Sequence, residues 1–250
     1  MNLVACVKRV PTTDSEPLVG GDGTSIDPAS LKYELSFYDH VALEQAVQLK
    51  EAGGGEVTAL SMGPAETDKE LRECLAKGAD KAVLLQDDTW AVRDALATAK
   101  ALSAKISDLG ADLVLCGRVA TDRDNASVGP MMASLLGWAC VTDVLELSVE
   151  GGKGLAKREG DDGIESFEFA LPAVITCQKG LAEPRYAGLK GIMAAKKKPI
   201  DTSEAPAAES QAKIVSLSPP PARAEGRIVG EGAAAVPALM EALRNEAKAL

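Results

Sequence analysis

Aromatic residues are scarce in this 250-residue chain, at 3%: two Trp, three Tyr and three Phe. Its core must therefore be assembled from Ala, Val, Leu and Ile. Positive charge is outweighed, with 27 Lys and Arg against 37 Asp and Glu and a net charge of −10, which argues against a nucleic-acid binder needing a basic face. There is one histidine, His40, and five cysteines scattered singly at 6, 74, 116, 140 and 177 with no CxxC. That speaks against a zinc or iron–sulfur site, a disulfide framework and a Cys–His nucleophile. No apolar run approaches the ~18–20 residues of a spanning helix. The opening MNLVACVKRV reads at once as a strand, which leaves no place for a signal or transit peptide and makes cytoplasmic residence the expectation. What remains is ordinary globular composition, 46% hydrophobic and 26% charged.

The most informative stretch is Leu113 to Gly129, LVLCGRVATDRDNASVG. A buried strand, 113–116, breaks at Gly117. A polar loop follows, with a helix expected to begin about Asp124 or Asn125 and to carry the small residues Ala126, Ser127 and Gly129. First-turn amides lack intrahelical acceptors and the helix dipole adds positive charge, so a strand, a glycine break and a small-residue helix start suit a phosphate. An ordinary strand–loop–helix connection capped by Asp124 or Asn125 has the same pattern.

The surrounding chain alternates. Strands are expected at 2–7, 57–61, 81–85 and 113–116, with helices at 40–52 (Asp39 as N-cap), 66–77, 93–109 and 127–136. Residues 12–30 read as an extended loop or weak hairpin. This βα alternation predicts an α/β fold with a doubly wound, mostly parallel sheet. Ligands bind such sheets at the carboxyl ends of strands. Ala5–Arg9, Ser61–Pro64 and Gly117–Gly129 are placed to converge there.

After Trp138 the pattern becomes antiparallel, over 142–149 and 157–170, with turns at 151–152 and 161–163, and Ala173–Cys177 reads as a buried strand returning to the sheet. The Pro-, Ala- and Ser-rich residues 200–232 read as a loose arm, and 235–249 as a short terminal helix. Two regions are therefore expected: an α/β domain over 1–199, and a C-terminal arm and helix over 200–250.

CGRVATDRDNASVGP paired with the later AEPRYAGLKGIMAAKKKP resembles the beta subunit of electron transfer flavoprotein, as do VKRVP near the start and LSMGPAE after the second strand. The likeness keeps its order over nearly the whole chain. It implies a fold of the adenine nucleotide alpha hydrolase type in a bacterial, non-enzymatic carrier. The partner is an alpha subunit, which mainly holds the redox-active FAD at the interface and on which 200–250 would pack. Electrons would come from flavin-dependent dehydrogenases, such as the acyl-CoA dehydrogenases of fatty acid oxidation, and pass to a quinone oxidoreductase or another acceptor.

The same resemblance implies a structural AMP in this chain, at Cys6, Ser36, Phe37, Tyr38, Asp39, Met62 and the run Arg118, Val119, Ala120, Thr121, Asp122, Arg123, Asp124, Asn125, Ala126, Ser127, Val128 and Gly129. Tyr38 falls where an aromatic approaches the flavin. On residue chemistry alone it is equally a helix-entry staple against Leu43. Segment 183–199 corresponds to a partner-recognition loop containing Glu183, Pro184, Arg185, Tyr186, Ile192, Met193, Lys196 and Lys197, with Leu189 at the anchor position. Glu159 matches an acidic residue that modulates the mobile flavin domain.

An apolar anchor with a polar rim suits a fast, weak encounter, and the lysine run would steer an acidic partner. A solvated lysine face and a Leu189 buried under its loop are the plainer alternatives.

Two departures from the family pattern stand out. Thr12 and Thr13 replace an aromatic near the flavin. GRVATDRD stands where electron-bifurcating relatives, which carry a second FAD in place of AMP and oxidise NADH, have GRQAIDGD, so that Arg123 occupies a glycine position. Asp94–Thr98 somewhat resembles the NADH-handling segment of those relatives. A remote alternative is an ATP-splitting hydrolase or ligase of the same fold, but Cys6–Val10 lacks the glycine-rich phosphate loop that chemistry uses.

Overall fold

The computed structural model describes residues 1–207, 209–222 and 225–250. They form two compact units, Met1–Leu217 and Ser218–Leu250. The first is built on a nine-stranded sheet. Its strands are β1 (Asn2–Cys6), β4 (Glu56–Gly63), β5 (Lys81–Gln86), β6 (Leu113–Gly117), β7 (Ala139–Glu150), β8 (Lys153–Gly160), β9 (Gly163–Ala170), β10 (Ala173–Cys177) and β11 (Ile200–Glu204). Their order across the sheet is β11-β5-β4-β1-β6-β10-β7-β8-β9. From β11 to β7 all neighbours pair parallel, and β7, β8 and β9 form an antiparallel meander. A separate hairpin stem pairs β2 (Arg9–Pro11) with β3 (Tyr33–Leu35).

The apolar runs explain the layering. Along β1 and β6, Leu3, Ala5, Leu113 and Leu115 join one core cluster, whereas Val4, Cys6, Val114 and Cys116 join another. Since alternate residues of a strand point to opposite faces, the sheet is covered on both sides. The first face carries α1 (Phe37–Gly53) and α2 (Asp68–Ala76) through Val41, Leu43, Val47, Leu71 and Leu75. The second carries α3 (Ala95–Leu109) and α4 (Val128–Leu136) through Ala99, Leu102, Ile106 and Met132. Each large aliphatic side chain so buried stabilises by about 1.5–3 kcal/mol. A short helix, α5 (Leu189–Ala195), packs beside α2. In the second unit α6 (Val236–Asn245) is the main element. No helix of the described residues is long and apolar enough to cross a membrane.

The doubly wound architecture is as expected, and the antiparallel turns fall at 151–152 and 161–162, with Gly163 already opening β9. Three details differ. First, α1 begins at Phe37 with Ser36 as N-cap residue, so Asp39 lies inside the first turn and is buried rather than capping. Second, α4 begins at Val128, beyond Asp124 and Asn125. Asp124 and Ala126 adopt left-handed backbone, at φ 52° and 51°, which holds the loop out of helix. Third, part of the supposed loose arm is β11, hydrogen-bonded to β5 at the sheet edge. Residues 205–217 are also tied down. The Ala205 amide donates to Gln86, those of Gln211 and Ala212 to the Asp94 carboxylate, and that of Leu217 to Gly23. The first unit thus extends to Leu217 instead of ending at 199.

Candidate functional site

The site is set by the point where the sheet's connections diverge. From β1 the chain crosses through α1 to β4, and from β6 through α4 to the opposite half. A crevice must therefore open above the carboxyl ends of β1 and β6, where Cys6, last in β1, lies in register with Cys116, next to last in β6. Asp39, projected from the first turn of α1, bridges it. Its Oδ2 accepts the Lys8 amide at 2.8 Å and its Oδ1 accepts the Gly117 amide at 2.9 Å. Burial pushes this carboxyl up to about 7, against the opposing pull of those two amides and of Lys8. Gly117 is required at this spot, because a Cβ there would lie 2.5 Å from Asp39 Oδ1 and 2.7 Å from Tyr38 Cβ.

The loop from Arg118 to Ser127 forms the outer wall. Asp122 takes the Lys8 ammonium at 2.7 Å, while burial pulls the Lys8 pKa down against that pairing. Arg123 swings across to donate to the carbonyls of Ala91 and Arg93, so its guanidinium closes one side of the cavity. α4 then enters with its amino end toward the crevice. Its third residue, Pro130, occupies a first-turn position where no intrahelical amide partner exists. The close seat of α4 depends on Gly129, whose added Cβ would lie 2.7 Å from Thr176 Cγ2. First-turn amides at Val128 and Gly129, the Lys8 ammonium and apolar walls from Val7, Met62, Leu102 and Met132 give a cleft with an anion-favouring end and a greasy end.

A family model for the electron transfer flavoprotein domain matches residues 24–208. The chain is also 38% identical over 250 residues to an electron transfer flavoprotein subunit beta of Syntrophomonas wolfei, covering 99% of this chain and 98% of that one. It is 36% identical to the corresponding subunit of Bacillus subtilis over the full length of both, and 38% identical to that of Bradyrhizobium diazoefficiens over 80% of each. The chain belongs to the electron transfer flavoprotein family. These relatives are beta subunits, and a part in electron transfer follows from that membership.

Against that family membership, the structure brings together much of the expected nucleotide set. Cys6, Asp39, Met62, Arg118, Val119, Ala120, Arg123, Asn125, Ala126, Ser127, Val128 and Gly129 line the cavity. Ser36, Phe37, Tyr38, Thr121, Asp122 and Asp124 do not, although Asp122 reaches it through Lys8. Tyr38 stacks edge-on against Phe37, with ring centroids 5.5 Å apart. Lys8 and Gly117, from the converging segments Ala5–Arg9 and Gly117–Gly129, also line the cavity, as do Trp90, Arg93 and Thr98, which sequence reasoning did not place at this site. Lys8 stands in the VKRVP motif, Gly117 at the glycine break, and Arg93 and Thr98 in the patterned stretch 93–109, so only Trp90 carried no signal.

The second family segment leaves the body of the domain after β10. Tyr186, Leu189 and Met193 are 97%, 77% and 53% exposed, so Leu189 is not buried under its loop. Lys196 and Lys197 are exposed as well. Arg185 instead turns inward onto α1, pairing with Glu44 and Glu51. Glu159 is exposed on β8 and lines a shallow polar cleft with Arg118, Asp143, Arg158 and Lys179.

Proposed function

We propose that this chain is the beta subunit of a simple electron-carrying heterodimer, holding an adenine mononucleotide at the β1/β6 crevice and docking electron donors through the loop around Leu189. The observation that carries the reading is the crevice itself. Its first-turn amides and Lys8 suit a phosphate, and its apolar walls suit a base. A bound nucleotide of this kind would tie β1, β6 and α4 together through Lys8, Asn125, Ser127 and the amides of α4. Its role would be structural.

FAD, held mainly by the alpha subunit at the interface, would supply the one- and two-electron chemistry. On this side of the interface, Lys179 and Arg118, the latter paired with Asp143 at 2.6 Å, would offer positive charge to it, and Glu159 would offer negative charge to the moving flavin domain. This chain contributes scaffold, docking and field rather than proton transfer. Its only histidine, His40, has its basicity lowered by burial and by the Lys77 ammonium beside it, and it lies on α1 pointing to Lys77. The dehydrogenases of fatty acid oxidation would be donors, and a quinone oxidoreductase an acceptor.

Two features favour the mononucleotide over a second flavin. The Arg123 guanidinium spans to Ala91 and Arg93 and fills space that a longer ligand would need. Asp94, in the segment that resembles an NADH-handling motif, is committed to capping α3 through the Ala97 amide at 2.7 Å and to holding 211–212.

The test is to denature the co-purified heterodimer and identify the released nucleotides by chromatography and mass. One FAD and one AMP per pair are expected. Two FAD without AMP would make the protein a bifurcating member, and absence of flavin would sink the carrier reading altogether.

A further inference from the structure

The inward turn of Arg185 leaves a question about how the docking loop is held. Its guanidinium uses four of its five N–H donors on α1. Nε and Nη2 reach Glu44 at 2.8 and 2.9 Å, and Nη1 and Nη2 reach Glu51 at 2.7 and 3.0 Å. The Arg185 amide adds a contact to Glu44 Oε2 at 3.2 Å. Glu44 is 5% exposed and takes a further hydrogen bond from Gln48. A fork-to-fork pair on a buried carboxylate fixes direction as well as distance, which a point charge does not. The other end of the segment is fixed separately: the Arg72 guanidinium donates to the carbonyls of Ala195 and Lys198. Gly191 lets α5 sit against α2, since a Cβ there would lie 2.3 Å from the Ala76 carbonyl oxygen.

We propose that Arg185 is a positioning residue: clamped to Glu44 and Glu51, it holds the amino-terminal end of the docking loop so that Leu189 is presented ready-formed to the electron donor. The inference rests on the docking role proposed above for Leu189. Between the clamp and the Arg72 staple the exposed apolar side chains are displayed on a chain fixed at both ends. The ordering entropy of the loop is thereby met on folding instead of at each encounter. Arg185 itself makes no contact with the donor.

The test uses the alpha–beta heterodimer with R185A, R185K, E44Q, the R185A/E44Q double variant and L189A. The donor probe is medium-chain acyl-CoA dehydrogenase reduced by octanoyl-CoA. Two readouts are taken: KM and kcat for the heterodimer as acceptor, and amide hydrogen exchange across 186–195. R185A is expected to speed exchange there by about tenfold or more and to raise KM with kcat little changed. E44Q should do the same in smaller measure, and the double variant should be no worse than R185A. R185K should recover only part, since an ammonium cannot serve two carboxylates as a fork does.

Unchanged exchange in R185A, or effects of R185A and E44Q that multiply, would overturn the clamp. If R185A fails to fold, E44Q and R185K carry the same comparison. Should L189A leave KM at the wild-type value, the docking reading falls, while the exchange data still decide whether Arg185 holds the loop. A raised KM in L189A beside an unchanged one in R185A would retain docking and remove the positioning role.

Discussion

Asp39 concentrates several demands in one side chain. It joins the ends of β1 and β6 by two backbone hydrogen bonds, and burial raises its pKa from the ordinary carboxylate value to about 7. In the unfolded chain it titrates near ~3.9, so between these values the folded state binds the extra proton. The contribution to stability is fully present below about pH 4 and is lost as pH rises through about 7. Groups facing it are the Lys8 ammonium, the Asp122 carboxylate and the thiols of Cys6, Cys116 and Cys177. In urea titrations from pH 4 to 8, wild type is expected to lose stability relative to D39N by up to ~4 kcal/mol. A difference that stays level with pH would mean that Asp39 ionises normally in the fold. Next to it, Gly117→Ala should cost about 1–3 kcal/mol through overpacking against Asp39 and Tyr38, read as a shift in denaturation midpoint. A wild-type midpoint would show that α1 can move aside.

At the scale of elements, legibility followed burial. The runs Leu3–Cys6 and Leu113–Cys116 announced themselves because parallel strands covered on both faces are continuously apolar. β11 did not, because IDTSE is an edge strand with one half-buried residue and four exposed ones, and a polar edge carries no hydrophobic period. The apolar pattern 127–136 met α4 to within a residue, whereas the alternative start at Asp124 or Asn125 fails because left-handed backbone at Asp124 and Ala126 is not signalled by glycine.

The missed wall of the cavity has a tertiary cause. Segment 87–94 reaches the crevice through the pair Asp87–Arg93, at 2.6 Å and with both side chains under 10% exposed, and through Arg93 Nη1 to the Pro206 carbonyl. None of these partners is near in sequence to the glycine break that marks the site. Removing one member of a buried pair strands the other, so Arg93→Ala should destabilise by roughly 3–5 kcal/mol, measured by urea denaturation. It should also loosen the nucleotide, since Arg123 leans on the same segment. A loss below about 1 kcal/mol, the range of exposed pairs, would place Asp87 in contact with water.

For the whole molecule, the position of the sheet's edge decides where the chain can end. The first unit closes its own core by Leu217, and the described part of the second, around α6, buries no side chain of its own. A chain ending at Leu217 should therefore melt within a few degrees of full length. One ending at Pro199 loses β11, whose five residues pair in register with β5, together with the Pro206 acceptor for Arg93 and the amides held by Asp94.

At about 1 kcal/mol for each net hydrogen bond, less the entropy of ordering the strand, that removal amounts to a few kcal/mol. In a domain of this size it corresponds to a fall in Tm of roughly 5–10 °C. Solubility should suffer more than stability. The polar β11 pairs along β5, whose apolar run Ala82, Val83, Leu84 and Leu85 would become an open edge. Such edges template pairing between chains. The shorter chain should show concentration-dependent light scattering under conditions where the 217-residue chain stays monodisperse. Equal scattering and equal Tm for the two would mean that β5 already serves as the true edge, and that residues 200–217 do not belong to the domain.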